Sequence, residues 1–326
     1  MMDRRKFVKA MTGALIATVR AASAQPQSAK VYRIGFLGTQ SAAEFASRVD
    51  ALRAGLRDLG YVEGKNILIE FRWADGDLNR LPKLATELVQ LKVDALVTHA
   101  EGTRAAKQAS ASIPIVMAFT GDAIATGLVA SLARPEGNVT GSTVLIPEIS
   151  AKRLELLKTA VPYITRVAVL VRKDSLWNTL LQMLQSTGKA MNLTTQFFEV
   201  RGPAEFESAF SEMAKARMDA LVVSEDPMLA GYSKSIAELA AKYRWPSTGI
   251  RGFAEAGGLI GYGADALEVY RHAAAFVDKI LRGAKPGDLP IEQPTKFELV
   301  INLTTAKALG ITISKDVLLR ADEVIQ

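Results

Sequence analysis

From Lys30 onward the chain alternates short β-branched or aliphatic runs with longer stretches of helical period. Residues 31–37 read as a first strand, and 42–59 place Phe45, Val49, Leu52, Leu56 and Leu59 on one helical face. The alternation continues as a strand at 66–71, a helix at 78–91, a strand at 95–97, a helix at 103–110 and a strand at 115–118. Nearly continuous apolar strands separated by crossover helices imply a parallel sheet covered on both faces.

Turn formers interrupt the pattern at 135–141, which reads as a pause between two units. It then resumes, with strands at 167–171, 195–200, 220–223 and 259–262 and helices at 149–160, 175–191, 204–216 and 229–243. Two β/α runs in the same order predict an α/β protein of two Rossmann-like, doubly wound parallel-sheet lobes. A tail follows, with a strong helix at 267–281, three prolines (Pro286, Pro290, Pro294), a strand at 298–301 and a short helix at 304–309. It is too large for an appendage, so the chain is expected to return to the first lobe and cross again. The predicted division is 30–144 plus 264–298 for the N-terminal lobe and 145–263 plus 299–326 for the C-terminal lobe. Three crossings make a multi-strand hinge, about which rigid lobes open and close.

Composition narrows the chemistry. The 326 residues are 49% hydrophobic and 23% charged, with no cysteine and two histidines. These values exclude dominant disorder, a disulfide framework, a thiolate metal site and a nucleophilic thiol. The start resembles an export signal: a basic segment at 3–9, an apolar run at 10–19 and the cleavage pattern Ala22-Ser23-Ala24. Residues 1–24 are therefore expected to be a signal peptide. Arg4-Arg5 followed by Phe7 suggests a twin-arginine route, with ordinary Sec export as the alternative. An apolar run of about ten residues is too short for a permanent membrane anchor, which needs roughly 20. Setting this segment aside removes five basic residues and one acid, so the net charge falls from +6 to +2. No basic block remains, and nucleic acid is not an expected partner.

Enzymatic signatures are weak or missing. Gly261-Tyr262-Gly263-Ala264 resembles a dinucleotide fingerprint but sits late in the chain, with no acid-tipped parallel strand after it. Gly60-Tyr61-Val62-Glu63-Gly64-Lys65 is one residue short of a phosphate loop, and Asn66 stands where Ser or Thr is required. There is no Gly-x-Ser-x-Gly elbow and no His-Glu-x-x-His pair. No catalytic residue, cofactor or metal is expected. The candidate chemistry is binding, at the carboxyl ends of the strands, where loops meet uncapped helix amides. In the first lobe these loops carry Thr39, Gln40, Thr98, His99, Glu101, Phe119, Thr120 and Asp122. In the second they carry Lys173, Asp174, Asn178, Glu225, Asp226 and Tyr262. Hydroxyls with helix amides suit a carboxylate, the acids suit an ammonium, and Phe119, Trp177 and Tyr262 could cover an apolar group.

Ordered motifs then point to a family. They are Thr98-His99, Arg104-Ala105-Ala106-Lys107-Gln108-Ala109, Ile113-Pro114-Ile115-Val116, Gly121-Asp122 and Asn138-Val139-Thr140-Gly141. Asp219-Ala220-Leu221-Val222-Val223, Gly257-Gly258-Leu259, Tyr262-Gly263 and the tail from Ala284-Lys285-Pro286 to Leu309-Gly310 continue the set. Together they resemble the tryptophan/tyrosine-type ABC transporter substrate-binding proteins of the type I periplasmic binding fold. The resemblance implies a monomeric periplasmic receptor that closes on a small ligand, an amino acid or an aromatic carboxylate. Such a receptor delivers the ligand to an ABC permease driven by a separate ATPase. The alternative is a sensory receptor of the same fold that signals to a membrane kinase or chemoreceptor.

Overall fold

Parallel strands need a covering layer on each face, and the first lobe supplies it from the elements the periodicity marks. In order these are β1 (Tyr32–Gly38), α1 (Ala42–Asp58), β2 (Ile67–Trp73), α2 (Leu81–Gln90), β3 (Ala95–His99), α3 (Glu101–Ala109), β4 (Ile115–Gly121) and β5 (Val139–Val144). The computed structural model describes residues 30–173 and 178–326. The expected signal peptide, Asp174 and Trp177 lie outside the described residues. Helix α1 opens with a capping box, in which Ser41 and Glu44 satisfy each other's backbone N–H groups. It buries Phe45, Val49, Leu52 and Leu56, while Leu59, the last residue of the predicted face, is exposed beyond the helix end.

The second lobe contains α4 (Ile146–Ala160), β6 (Arg166–Arg172), α5 (Asn178–Ala190), β7 (Thr194–Val200), α6 (Phe206–Lys215), β8 (Ala220–Val223), α7 (Pro227–Gly231), α8 (Ser233–Lys242), β9 (Ser247–Gly249) and β10 (Ile260–Ala264). After them come α9 (Ala266–Leu281), β11 (Phe297–Asn302), α10 (Leu303–Leu309), α11 (Lys315–Leu318) and β12 (Glu323–Ile325). Among the described residues the strands form two sheets, ordered β2-β1-β3-β4-β5 and β12-β11-β10-β9-β8-β6-β7. The first is parallel throughout. In the second, β11 runs antiparallel to β10, and β12 runs with β11.

Three passages of chain join the sheets: from β5 into α4, from β10 into α9, and the segment between α9 and β11. Helix α9 packs on α1 and beneath β4 and β5, so it belongs to the first sheet although its sequence follows the second. The two helices approach closely at Gly55, where a Cβ would lie 2.3 Å from the Arg271 carbonyl oxygen.

The pause expected at 135–141 is in part a strand. β5 is fully buried although its sequence is Val-Thr-Gly-Ser-Thr-Val, because tertiary partners satisfy its hydroxyls. Thr140 Oγ1 donates to the Leu289 carbonyl (2.9 Å) and Thr143 Oγ1 to that of Gly121 (3.2 Å). Gly141 adopts φ +123°, and a Cβ there would lie 2.2 Å from the Met117 carbonyl oxygen. Gly141→Ala is therefore expected to lower stability by more than about 2 kcal/mol, combining backbone strain with a clash against β4. The urea midpoint with its m-value checks this, and a loss under roughly 0.5 kcal/mol would mean that β4 and β5 can separate freely.

Candidate functional site

The first-lobe edge is shaped by an irregularity in β4. Between Met117 and Thr120, three residues of β4 advance against two of β5, and against β3 the register slips at Thr98/His99. Such a bulge re-aims the side chains that follow it. Phe119 and Thr120 both reach the space between the lobes, where Thr120 Oγ1 lies 3.1 Å from Thr103 Oγ1. Asp122 ends this strand by accepting from the N–H groups of Ile124 (3.0 Å) and Ala125 (2.9 Å).

At the end of β3, His99 is buried and its ring stacks on Phe45, with centroids 4.4 Å apart. The Thr39 backbone N–H points at His99 Nε2 at 3.4 Å, and Thr39 Oγ1 is hydrogen-bonded to the same nitrogen at 2.7 Å. Nδ1 has no partner among the described residues. Burial, with a smaller contribution from the nearby Arg48 charge, pushes the His99 pKa down to about 3 and keeps the ring neutral. The next residue, Ala100, has φ +45°, an uncommon conformation for a residue with a Cβ. As N-cap of α3 it offers no side-chain cap.

The second-lobe edge is charged. Asp226 caps α7 through the N–H groups of Met228 and Leu229 and accepts from Arg172 Nε at 2.6 Å. Arg172 also bonds Glu101, so a side chain at the end of β6 grips one at the start of α3 in the other lobe. Glu225 accepts from the fully buried Arg153 at 2.6 Å. Arg251 is held by Glu298 (2.9 Å) on β11 and Glu323 (2.7 Å) on β12.

Between these edges lie two adjoining chambers of about 560 and about 620 Å³. Ala100, Gly121, Ile146, Glu225, Asp226 and Pro227 line both. The smaller adds Glu101, Arg104, Thr120, Asp122, Arg172 and Asn178. The larger adds Gln40, Phe45, Arg48, His99, Phe119, Arg251 and Tyr270. Across its mouth α1 and α7 come close, since a Cβ on Gly231 would lie 3.4 Å from Glu44 Oε1.

Of the sequence-predicted residues, Gln40, His99, Glu101, Phe119, Thr120, Asp122, Asn178, Glu225 and Asp226 converge on these chambers. Thr39 stands behind His99. Thr98 faces inward, donating to the Leu37 carbonyl at 2.9 Å. The Lys173 backbone bonds Val200 beside β7, and the Tyr262 ring stacks on Phe297, so these two do not line the chambers either. Sequence reasoning placed Arg172 and Arg251 in the second-lobe edge loops without assigning them to the ligand, and it did not select Phe45, Arg48, Arg153 or Tyr270. Phe45 and Tyr270 follow helical periodicity and read as core. Among the described residues no group of three or more His, Asp or Glu side chains could hold a metal ion.

A family model described as ABC transporter substrate binding protein matches residues 41–325. The tyrosine-binding protein of Clostridioides difficile (strain R20291) is 28% identical over 258 residues, 78% of this chain and 74% of that protein. A conserved domain protein of Vibrio cholerae O1 biovar El Tor has a crystal structure that superposes with TM-score 0.85 at 26% identity, covering 90% of this chain and all of the other. The ABC domain solved with L-Trp from Streptococcus pneumoniae matches with TM-score 0.84 and 26% identity, over 91% of this chain and all of that one. The two-lobed architecture is that of the type I periplasmic binding proteins.

The histidine gives a test of the buried edge. Its pKa is lower folded than unfolded, so between about 3 and 6.5 the unfolded chain binds the extra proton. Stability should therefore fall as pH drops below 6.5, by about 2 kcal/mol from His99 alone at pH 5. Urea melts at pH 7.5 and 5 on the wild type and on His99→Gln measure it. The variant should lose that part of the slope, and an unchanged slope would place the titration elsewhere.

Proposed function

Because the chain belongs to the ABC transporter substrate-binding protein family, we propose that it captures a small aromatic amino acid or related aromatic carboxylate between its lobes, outside the cytoplasm. The observation that carries this reading is that a cluster of rings and a set of fixed carboxylates face the same cleft. The first-lobe wall presents the rings of Phe45, His99, Phe119 and Tyr270 together with the charges of Arg48, Glu101, Arg104 and Asp122, and the other presents Glu225 and Asp226 beside Arg172 and Arg251. A flat apolar side chain would stack on the first wall. The acids of the second would take an ammonium, and the uncapped start of α3 would donate to a carboxylate. The larger chamber, about 620 Å³, lies in the range of small-molecule sites. The tyrosine-binding and L-Trp-bound relatives support the same ligand class.

In this proposal the moving bodies are 30–144 plus 264–298 and 145–263 plus 299–326. Ligand bridges them, and the closed, monomeric form is read by a permease whose ATPase is a separate protein. No covalent step and no nucleic acid are involved. Residues 1–24 direct export to the periplasm by a twin-arginine or Sec route. The Arg172–Glu101 pair supports closure as the relevant motion, since it is a contact that opening the lobes would break.

Calorimetry with L-tryptophan, L-tyrosine, L-phenylalanine and 3,4-dihydroxybenzoate tests the ligand class. A micromolar dissociation constant, about 8 kcal/mol, is expected for at least one of them, with a smaller radius of gyration on binding. Glu225→Gln should weaken the amino acids more than tenfold. Absence of micromolar binding across the panel, or a tight binder that leaves the radius unchanged, would reject the proposal.

A further inference from the structure

Arg153 lies on α4 and heads the fully buried large side chains among the described residues. A guanidinium removed from water is costly, and well-packed apolar residues usually replace a buried ion pair without loss of stability. Its presence calls for a reason other than folding. Its contacts supply one. Nη2 donates to Glu225 Oε2 at 2.6 Å, and Nε donates to the Tyr262 carbonyl at 2.7 Å. The guanidinium presses on the backbone of β10, where a Cβ on Gly263 would lie 3.1 Å from Nη2. One side chain thus joins three places: α4, which opens directly after the first passage between the lobes, the Glu225 carboxylate at the cleft, and the end of β10, which leads into the second passage.

The surroundings are polar on purpose-built positions of the sheet. Val222 pairs with Thr248 and Thr248 with Ile260, so Thr248 shares the α4-facing side with Ser224 and Tyr262, two residues further along their strands. Ser150 stands one helical turn before Arg153. The hydroxyls of Ser150, Ser224 and Thr248 and the Nη1 of Arg153 are buried and have no partner among the described residues. Glu225 itself is 13% exposed, lines both chambers, and has one oxygen bonded to Arg153.

We propose that Arg153 is a positioning residue for ligand capture, holding the Glu225 carboxylate at the cleft and tying it to the strand that enters the second passage between the lobes. This rests on the reading of Glu225 as the group that receives the ligand's ammonium. Displacing that carboxylate would then remove discrimination for the ammonium while leaving the aromatic wall of the first lobe intact.

Arg153→Met and Glu225→Gln test it, with L-tryptophan and its deaminated counterpart indole-3-propionate as calorimetric probes. Both variants should weaken L-tryptophan more than tenfold and indole-3-propionate less than threefold, with Arg153→Lys in between. Equal losses for the two probes would mark Arg153 as a merely structural residue and overturn the proposal. A crystal structure of the unliganded Arg153→Met protein, or of Arg153→Gln if the methionine variant does not fold, gives a readout independent of ligand. The Glu225 carboxylate should leave the place at the cleft where Arg153 Nη2 holds it, and finding it unmoved would overturn the proposal whether or not either probe binds. Displacement of Glu225 together with failure of the wild type to bind either probe would leave Arg153 in its role and count against the aromatic ligand class instead.

Discussion

A strand buried on both faces can carry a polar side chain only where it ends or where a tertiary partner satisfies it, as Leu289 and Gly121 do for Thr140 and Thr143 of β5. Ile34, Phe36 and Leu37 in β1, Ala95 to Val97 in β3 and Ala220 to Val223 in β8 are almost wholly inaccessible, because each is sandwiched between helices. Unpaired polar groups in these positions would carry the full cost of desolvation. Thr39, His99, Glu225 and Asp226 therefore appear at the first positions where the chain leaves the sheet. Everything that can recognise a solute is pushed to one edge of each lobe, and the passages between the sheets decide that the two edges face each other.

The edges differ in kind. The first lobe contributes rings and a neutral histidine held by Thr39, with Phe45 stacked on one side of the imidazole, and the charges of Arg48, Glu101, Arg104 and Asp122. The second contributes charge, and its charged groups are held in place: Arg172 by Asp226, Glu225 by Arg153, Arg251 by carboxylates on β11 and β12. Fixed, partly desolvated charges discriminate more sharply than mobile surface ones, because they cannot relax around a poor fit.

Much of the fold was legible in the chain because buried helices repeat at 3.6 and strands buried on both faces read as short continuous apolar runs. The elements that escaped are informative. β5 reads as a turn, since Thr140, Gly141, Ser142 and Thr143 look like loop residues until their hydroxyls meet Leu289 and Gly121. β9 and β12, of three residues each, are too short to show a period. At the site, the rule that ligands gather at strand ends selected loops that line the two chambers, and within them it could not say which way a side chain turns. Thr98 and Tyr262 belong to those loops and face inward, toward Leu37 and Phe297. Phe45 and Tyr270 read as core because they are core on one side and cleft wall on the other.

The amino-acid sequence by itself determined the alternation of elements, the two-lobed class, the return of the tail helix and the family motifs that run along most of the chain. These depend on local periodicity and on residue order, which need no knowledge of distant neighbours. Only the tertiary structure decided which charges pair. Arg153 and Glu225 are 72 residues apart and Arg172 and Glu101 are 71 apart, and their meeting depends on the register of β8 and β10 and on how the lobes face one another. A buried ion pair is stable only with its partner at bonding distance, and that distance is set by the packing of α4 on the sheet rather than by any pattern along the chain.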